Sequence, residues 1–359
     1  MNPLIELNKM QTKNDSNSYN INILTNIINK LTKYHYTKSF NYKKILDGLN
    51  YNPDKFRSIE QLPFLPARLF KNFDLISMKQ TEIFKTIYSS GTTGAKTSKI
   101  YLDKLNASNQ IKVLEKIIKR KIGNERLPMI VVDKNLQFSN NKEFNAKRAA
   151  LSGFSIFAKN LIFLLDDNGE IDFLKLNNFL KGNKNKKFLI FGFTSNIFIN
   201  LYEKFSEDKI EQNLFSNAIL IHGGGWKNLE NKKINNKKFK NLISSKLGLQ
   251  EENIINYYGL VEQTGSIFFE CKCGYFLTTD YSHVLIRDKN FNIVKSGEKG
   301  FIQLISILPS SYPGHNILTE DIGEVVTDRN CNCGDNSNTK FLVHGRVPKA
   351  ELRGCSNFI

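Results

Sequence analysis

The stretch Tyr88–Lys99 reads Tyr-Ser-Ser-Gly-Thr-Thr-Gly-Ala-Lys-Thr-Ser-Lys. Gly91 and Gly94 let the backbone turn tightly and approach a ligand more closely than a Cβ would permit. Successive N–H groups in such a turn form a concave anion site. Ser89, Ser90, Thr92 and Thr93 add hydroxyl donors, and Lys96 and Lys99 add positive charge. This is chemistry for a polyphosphate. It is not a Walker loop, which needs Gly-Lys-Ser/Thr, because Ala95 precedes Lys96. By composition alone the stretch is also an ordinary Gly/Ser/Thr loop; its specificity comes from the stretches that follow it.

Four of the five cysteines form two close pairs, Cys271-Lys-Cys273 and Cys331-Asn-Cys333, each followed by a glycine, Gly274 or Gly334. In a chain without a secretion signal, disulfides are not expected. Two such pairs read as four thiolates around one zinc ion, a closed structural set with no open position. Cys355 is left over. The run His222-Gly-Gly-Gly-Trp226 offers a backbone that lies flat against a planar ring or reaches a phosphate. Its first four residues also occur as an oxyanion element in α/β-hydrolases, but that reading requires a Gly-x-Ser-x-Gly elbow, which the chain lacks. In Asn256-Tyr-Tyr-Gly-Leu-Val-Glu-Gln263, Glu262 could hold a magnesium ion that bridges phosphates. Two further stretches, Leu318–Gly323 and Gly345–Ser356, complete the set.

These stretches need elements to position them. Glu82 to Tyr88 alternates like a strand before the first loop. Within Asn106–Arg120, residues Ile111, Leu114, Ile117 and Ile118 fall on one helical face with lysines opposite. Short apolar runs follow at Met129–Val132, Leu161–Leu165, Phe188–Phe191, Ala218–Ile221 and Ile254–Tyr258, separated by helical segments. Strands alternating with helices predict an α/β fold with a mainly parallel, helix-covered sheet, whose ligands sit beyond the carboxyl ends of the strands. After Gly265 the pattern turns strand-like: Ser266–Phe269, His283–Arg287, Phe301–Ile307 and Gly323–Val326. The expected divisions are an N-terminal helical segment over 1–60, an α/β core over 61–265, a smaller β-rich subdomain with the cysteine site over 266–345, and a tail over 346–359. Leu62–Pro66 punctuates the first boundary, and Lys227–Lys240 reads as a solvated helix face.

A chain of 359 residues allows roughly two domains of about 150 residues each. The net charge of +17 admits nucleic acid, an anionic membrane or an anionic substrate. The lysines are spread along the chain among many asparagines rather than focused into a patch, so nucleic acid is not the expected partner. No apolar run approaches the roughly 20 residues of a membrane helix. Met1–Asn20 lacks the apolar core of a signal peptide. The expected location is the cytoplasm.

Taken in order, these motifs resemble the adenylate-forming superfamily of acyl-CoA ligases and luciferases. Ser89–Lys99 is similar to its phosphate loop, Gly223–Gly225 to its adenine-binding turn, and Tyr258, Gly259 and Glu262 to its Tyr-Gly-x-Thr-Glu element, with Val261 at the Thr position. Thr319 and Asp321 resemble its Thr-Gly-Asp element, with Glu320 at the Gly position, and Gly345-Arg346 its hinge. Within the superfamily the chain most resembles the acyl-protein synthetases of the LuxE type. The likeness is carried by Ser98–Tyr101, Gly223–Lys227, Tyr258–Gln263, Ser311-Tyr-Pro-Gly-His315 and Arg353-Gly-Cys-Ser356, and it runs from about residue 60 to the end.

The resemblance implies ATP-dependent activation of a long-chain fatty acid as an acyl adenylate. Ser89, Ser90, Gly91, Thr92, Thr93, Gly94 and Lys96 would hold the β- and γ-phosphates, and Glu262 the magnesium. Gly223, Gly224, Gly225, Tyr258 and Gly259 would pack on adenine. Asp321 would bind the ribose, with Arg346 nearby. The mobile C-terminal domain of acyl-CoA ligases, with its catalytic lysine, is expected to be absent, since the sequence ends at Ile359. Cys355 is then the expected acyl acceptor, a nucleophilic thiolate that hands the acyl group to a partner protein. Cys355, Lys99 and Glu262 are the candidate catalytic residues. ATP and Mg²⁺ are the expected cofactors, with Zn²⁺ in a structural role at Cys271, Cys273, Cys331 and Cys333. The alternative is an acyl- or aryl-CoA ligase of the phenylacetate-CoA ligase type. A basic, zinc-bearing nucleic-acid binder would leave the loop, Glu262 and Asp321 unexplained.

Overall fold

The computed structural model describes residues 1–13, 21–89, 96–135, 144–206, 208, 210, 214–327, 331, 333 and 339–347. The chain divides into two compact units. The first comprises Met1–Glu115, Glu143–Ala146 and Leu260–Ile359; the second comprises Lys116–Lys142 and Lys147–Gly259.

The first unit begins with helices α1 (Pro3–Lys13), α2 (Ile21–Lys38) and α3 (Phe40–Gly48). In α2, Ile23, Leu24, Ile27, Ile28 and Leu31 are buried at the i, i+4 spacing of one helical face. Strand β1 (Leu65–Pro66) and helix α4 (Leu69–Asn72) follow, then β2 (Lys85–Tyr88), β3 (Lys99–Leu102) and α5 (Lys104–Ile122). The expected strand start at Glu82 is instead the end of a 3-10 turn, Gln80–Glu82. Of the expected apolar face of α5, Ile117 and Ile118 are buried and Leu114 half-buried, but Ile111 is exposed. Asn106, Gln110 and Val113 are buried as well. The first half of the helix buries amides: Asn106 Nδ2 donates to Leu308 O at 3.2 Å and Gln110 Nε2 to Asn106 Oδ1 at 3.0 Å. Paired amides therefore occupy core positions beside the apolar ones that hydrophobic periodicity identifies.

The second unit is built on β4 (Leu127–Lys134). After it comes β5 (Phe144–Asn145), which belongs to the first unit and pairs with β2. The second unit resumes with α6 (Ala146–Ser155), β6 (Ala158–Leu165), α7 (Phe173–Gly182), β7 (Phe188–Phe193), α8 (Thr194–Ile197), β8 (Ala218–Gly223), α9 (Asn236–Leu247) and β9 (Ile254–Gly259). These strands run parallel in the order β9-β8-β7-β4-β6. Each of the five apolar runs read from the sequence is one of these strands. The strands β4, β7 and β8 are buried almost throughout, as in Phe188–Gly192, because helices cover both faces of a parallel sheet; β6 and β9 are only partly buried. Asp172 caps α7 by accepting from Lys175 N at 2.9 Å, and Asn235 caps α9 by accepting from Lys238 N at 2.8 Å. Gly248 closes α9 in the left-handed conformation, φ 69°. The Lys227–Lys240 cluster is thus not one helix face: Lys227–Lys232 is an irregular 3-10 turn, and α9 starts only at Asn236.

The chain then returns to the first unit with β10 (Ile267–Phe269), β11 (Phe276–Leu277), β12 (Ser282–Arg287), β13 (Gly300–Ser306), β14 (Asn316–Val326) and β15 (Lys340–Arg346). Here a six-stranded sheet has the order β11-β15-β14-β13-β12, with β1 added parallel to β14. All its other pairings are antiparallel. Within the Leu62–Pro66 punctuation, Leu65–Pro66 is therefore a short strand beside the first residues of β14. A separate three-stranded sheet, β3-β2-β5, carries the hairpin whose tip is the phosphate-loop candidate.

Candidate functional site

In the first unit, β2 and β3 pair antiparallel up to Tyr88 and Lys99. Ser89 extends the ladder: its N–H donates to Ser98 O at 3.0 Å, and its hydroxyl accepts from Ser98 N at 2.8 Å. The neck of the loop is therefore closed. Ser90, Gly91, Thr92, Thr93 and Gly94 lie outside the described residues. Lys96 is exposed. Lys99 Nζ sits 3.7 Å from Asp74 Oδ1, which also accepts from the Tyr101 hydroxyl at 2.6 Å.

Glu262 lies in the short turn Val261–Gln263 and is only 8% exposed. Burial raises its pKa; the Ser98 hydroxyl, its own backbone N–H, Lys71 and Arg346 act against that rise. The turn itself is fixed from several sides. Tyr312 OH donates to Glu262 O at 3.0 Å. Gln263 Nε2 donates to Leu304 O at 3.0 Å and Gly314 O at 2.9 Å. Gly265, φ 87°, lets α5 approach so closely that a Cβ there would lie 2.7 Å from Gln110 Cβ. In the same unit, Asp321 on β14 faces Arg346 on β15, with Arg346 Nε 3.6 Å from Asp321 Oδ1. Asp321 is buried and Arg346 is 78% exposed. The Asp321 N–H donates to Thr319 Oγ1 at 3.1 Å.

In the second unit, β8 ends at Gly223, which pairs in register with Tyr257 of β9. A Cβ at Gly223 would lie 2.6 Å from Tyr257 O, and one at Gly224 would lie 2.6 Å from Phe193 Cδ1. Gly224 and Gly225 both have positive φ, 81° and 67°. The three glycines therefore answer to two different demands, close packing and left-handed backbone. Tyr257 packs on Phe154 and Phe191. Tyr258 follows it on the opposite face of the strand and is half-buried, and Gly259 is exposed. His222 is buried, and burial holds its pKa down at about 3. Thr194 Oγ1 lies 3.0 Å from His222 Nδ1 and donates to Gly223 O at 3.1 Å. With that hydroxyl proton committed to the carbonyl, Nδ1 carries the imidazole proton and donates it to Thr194. Asp133, at the end of β4, is buried beneath Lys147, with Nζ 2.6 Å away.

The cysteines converge within the first unit. Cys271, Cys273 and Cys331 place their sulfurs within 4.8 Å of one another. Cys271 Sγ is 3.7 Å from Cys331 Sγ, and Cys331 Sγ is 3.0 Å from Cys333 Sγ. Tetrahedral zinc with bonds of about 2.3 Å holds thiolates roughly 3.8 Å apart. The first distance fits that edge and the second is shorter than it. The turn is built for close sulfurs: Cys271 N–H donates to Tyr275 O at 2.7 Å, Gly274 N–H to Cys271 O at 2.9 Å, and Gly274 has φ 83°. Burial pushes the metal-free Cys271 thiol up to about 12. Cys355 lies outside the described residues.

The family of acyl-protein synthetases termed LuxE matches residues 8–359. The chain belongs to this family. The match starts well before residue 60, so α1 to α3 are part of the family's fold rather than an addition to it. Two curated relatives are long-chain-fatty-acid–luciferin-component ligases. That of Aliivibrio fischeri is 25% identical over 304 residues, 81% of this chain and 76% of the relative. That of Vibrio harveyi is 23% identical over 346 residues, 90% of this chain and 84% of the relative. Among solved structures, the open conformation of 2-hydroxyisobutyryl-CoA ligase, in complex with 2-HIB-AMP and CoA, superposes with a TM-score of 0.71 at 14% identity. It covers 94% of this chain and 80% of that one. The fold is thus that of the adenylate-forming ligases, and this LuxE-family chain is an ATP-dependent acyl ligase. Among the described residues no helix is long and apolar enough to cross a membrane.

Gln110 and Thr194 carry no signal in the sequence, and Ser98 and Tyr257 enter it only as members of longer stretches. Only contact reveals their work. Tyr312 lies in the Ser311–His315 stretch that carries the family likeness, but that signal names no role for it.

Proposed function

We propose that this synthetase activates a long-chain fatty acid with Mg-ATP and passes the acyl group through Cys355 to a partner protein. The acid carboxylate attacks the α-phosphorus, pyrophosphate leaves, and the acyl adenylate forms. A thiolate at Cys355 then attacks the acyl carbonyl and expels AMP. The substrate class rests on the names of the two curated relatives. The observation that carries the adenylation step is the buried Glu262 carboxylate beside Ser98 at the neck of the Ser89–Lys96 loop. A carboxylate with a raised pKa and cationic neighbours fits a site whose ion is supplied by the substrate.

The roles follow from chemistry. Glu262 would ligate magnesium, which neutralises phosphate charge. Ser89, Ser90, Thr92 and Thr93, the Gly91 and Gly94 backbone, and Lys96 would hold the β- and γ-phosphates. Lys99, steadied by Asp74, would add positive charge beside them. Asp321 would accept from the ribose hydroxyls while Arg346 orients it. Gly223–Gly225, Tyr258 and Gly259 would offer a flat wall to adenine. These groups act by positioning and charge neutralisation. The division of labour along the chain is likewise proposed: helical segment 1–60, adenylation core 61–265, β-rich subdomain 266–345 and acyl-carrying tail 346–359. Zinc at Cys271, Cys273, Cys331 and Cys333 would be structural, and we assign the reaction to the cytoplasm.

The test is ATP–pyrophosphate exchange driven by a series of fatty and aromatic acids. Exchange with long-chain acids, slowed about 10²- to 10³-fold in Glu262→Gln, is expected. Exchange only with aromatic acids, followed by acyl-CoA formation, would overturn the substrate class and the acceptor together.

A further inference from the structure

The segment Ser311-Tyr-Pro-Gly-His315 is fully buried, yet none of its residues belongs to the roles above. Its contacts reach four places in the first unit. Ser311 Oγ donates to Tyr101 O at 2.8 Å, on the strand that carries the far side of the phosphate-loop hairpin. Tyr312 OH donates to Glu262 O at 3.0 Å, and Gly314 O receives Gln263 Nε2 at 2.9 Å. A Cβ at Gly314 would meet Glu262 O at 2.6 Å. At its outer end, His315 Nε2 lies 2.9 Å from Thr32 Oγ1. Thr32 spends its own proton on Ile28 O at 2.9 Å, so His315 is the donor to it. Ser77 N–H donates to Ser311 O at 2.9 Å, and His35 stacks on His315 at 4.9 Å.

We infer that Ser311–His315 is a clasp that sets the Glu262 turn against the base of the phosphate-loop hairpin, with Tyr312 as its positioning residue. This rests on the reading of Glu262 as the magnesium ligand. A buried ligand on a three-residue turn has little stiffness of its own. Its carbonyl is held by a phenol that lies in a fully enclosed site, and the next side chain is held by two carbonyls of the same framework. The hairpin is fastened to the same five residues. Movement of the Glu262 backbone relative to the loop neck therefore requires breaking bonds inside the core. Residues that orient a metal ligand without touching the metal typically change metal affinity by about 10- to 100-fold when lost.

The experiment uses the full chain and measures the Mg²⁺ dependence of pyrophosphate release at saturating ATP. Four proteins are compared: wild type, Tyr312→Phe, Glu262→Gln and the double variant. Ile28→Val, a buried trim on α2, serves as the control for loss of stability. Tyr312→Phe is expected to raise half-saturating Mg²⁺ about tenfold, and to do nothing further in the Glu262→Gln background. Ile28→Val is expected to lower the melting temperature without moving the Mg²⁺ curve. If Glu262→Gln shifts the curve but Tyr312→Phe only lowers the melting temperature, the clasp is overturned and the Glu262 reading stands. If Glu262→Gln leaves the curve unmoved, the reading and the clasp fall together.

Discussion

Glu262 is held where its ionised form is penalised, and that has a consequence apart from catalysis. Its folded pKa is raised, chiefly by burial. Folding therefore favours the protonated acid, and the penalty on the carboxylate is fully present above the folded pKa. It vanishes below the ordinary carboxylate value of about 4.3. Glu262→Gln should cost about 10²- to 10³-fold in adenylation, the scale of losing one electrostatic contact to the transition state. Its thermal midpoint at pH 7 should nonetheless match or exceed wild type, with the difference shrinking toward pH 4. A midpoint several degrees below wild type at pH 7 would mean that the carboxylate is part of the fold's own bonding. Gly265 makes the opposite case. At φ 87° and with Gln110 Cβ 2.7 Å from a would-be Cβ, Gly265→Ala should lose about 1–3 kcal/mol in denaturant unfolding. At this scale the sequence was readable where residue type alone implies chemistry, as for Glu262. It was silent where a common residue acts by contact, as Gln110 and Tyr257 do.

The elements were legible in proportion to how apolar their surroundings are. The strands at 127–134, 188–193 and 218–223 sit in a doubly covered sheet, so burial writes itself into the sequence as unbroken hydrophobic runs. In helix 104–122 the sequence marks the buried Ile117 and Ile118 but not the first half, where buried Asn106 and Gln110 meet the core through amide hydrogen bonds. The cysteine turns illustrate a third case, in which spacing predicted convergence. Cys271, Cys273 and Cys331 do converge, although they come from stretches some 60 residues apart. A structural zinc there makes two predictions. Purified protein should contain about one zinc per chain by elemental analysis, falling in Cys271→Ser. Chelation should lower the melting temperature and expose the region around residues 271–277 and 331–340 to proteolysis, because metal binding is folding energy at such sites. Full stability of a metal-free sample would contradict the assignment.

At the scale of the whole molecule, four of the five histidines are buried or nearly so, and three have pKa values that burial holds at about 3 or 4: His35, His222 and His283. Each is neutral in the fold and protonates on unfolding below about pH 6.5. Stability should therefore be intact above pH 6.5 and fall as the pH drops toward 4, by up to about 1.4 kcal/mol per pH unit for each histidine. His222 lies in the second unit and the other two in the first, so both units should weaken together in acid. A stability profile flat from pH 7 to 5 would contradict the buried, neutral assignment. The division of the fold into two units was less legible than its strands, because the first unit collects residues from both ends of the chain and no local pattern records that. The central claim concerns chemistry across the whole chain, activation by the folded units and transfer to Cys355. Intact-protein mass after incubation with ATP, magnesium and a long-chain fatty acid tests it most directly. The expected result is a single hydroxylamine-labile acyl adduct on wild type that is absent from Cys355→Ser. An adduct that persists in Cys355→Ser, or acid activation that yields product only when coenzyme A is added, would contradict it.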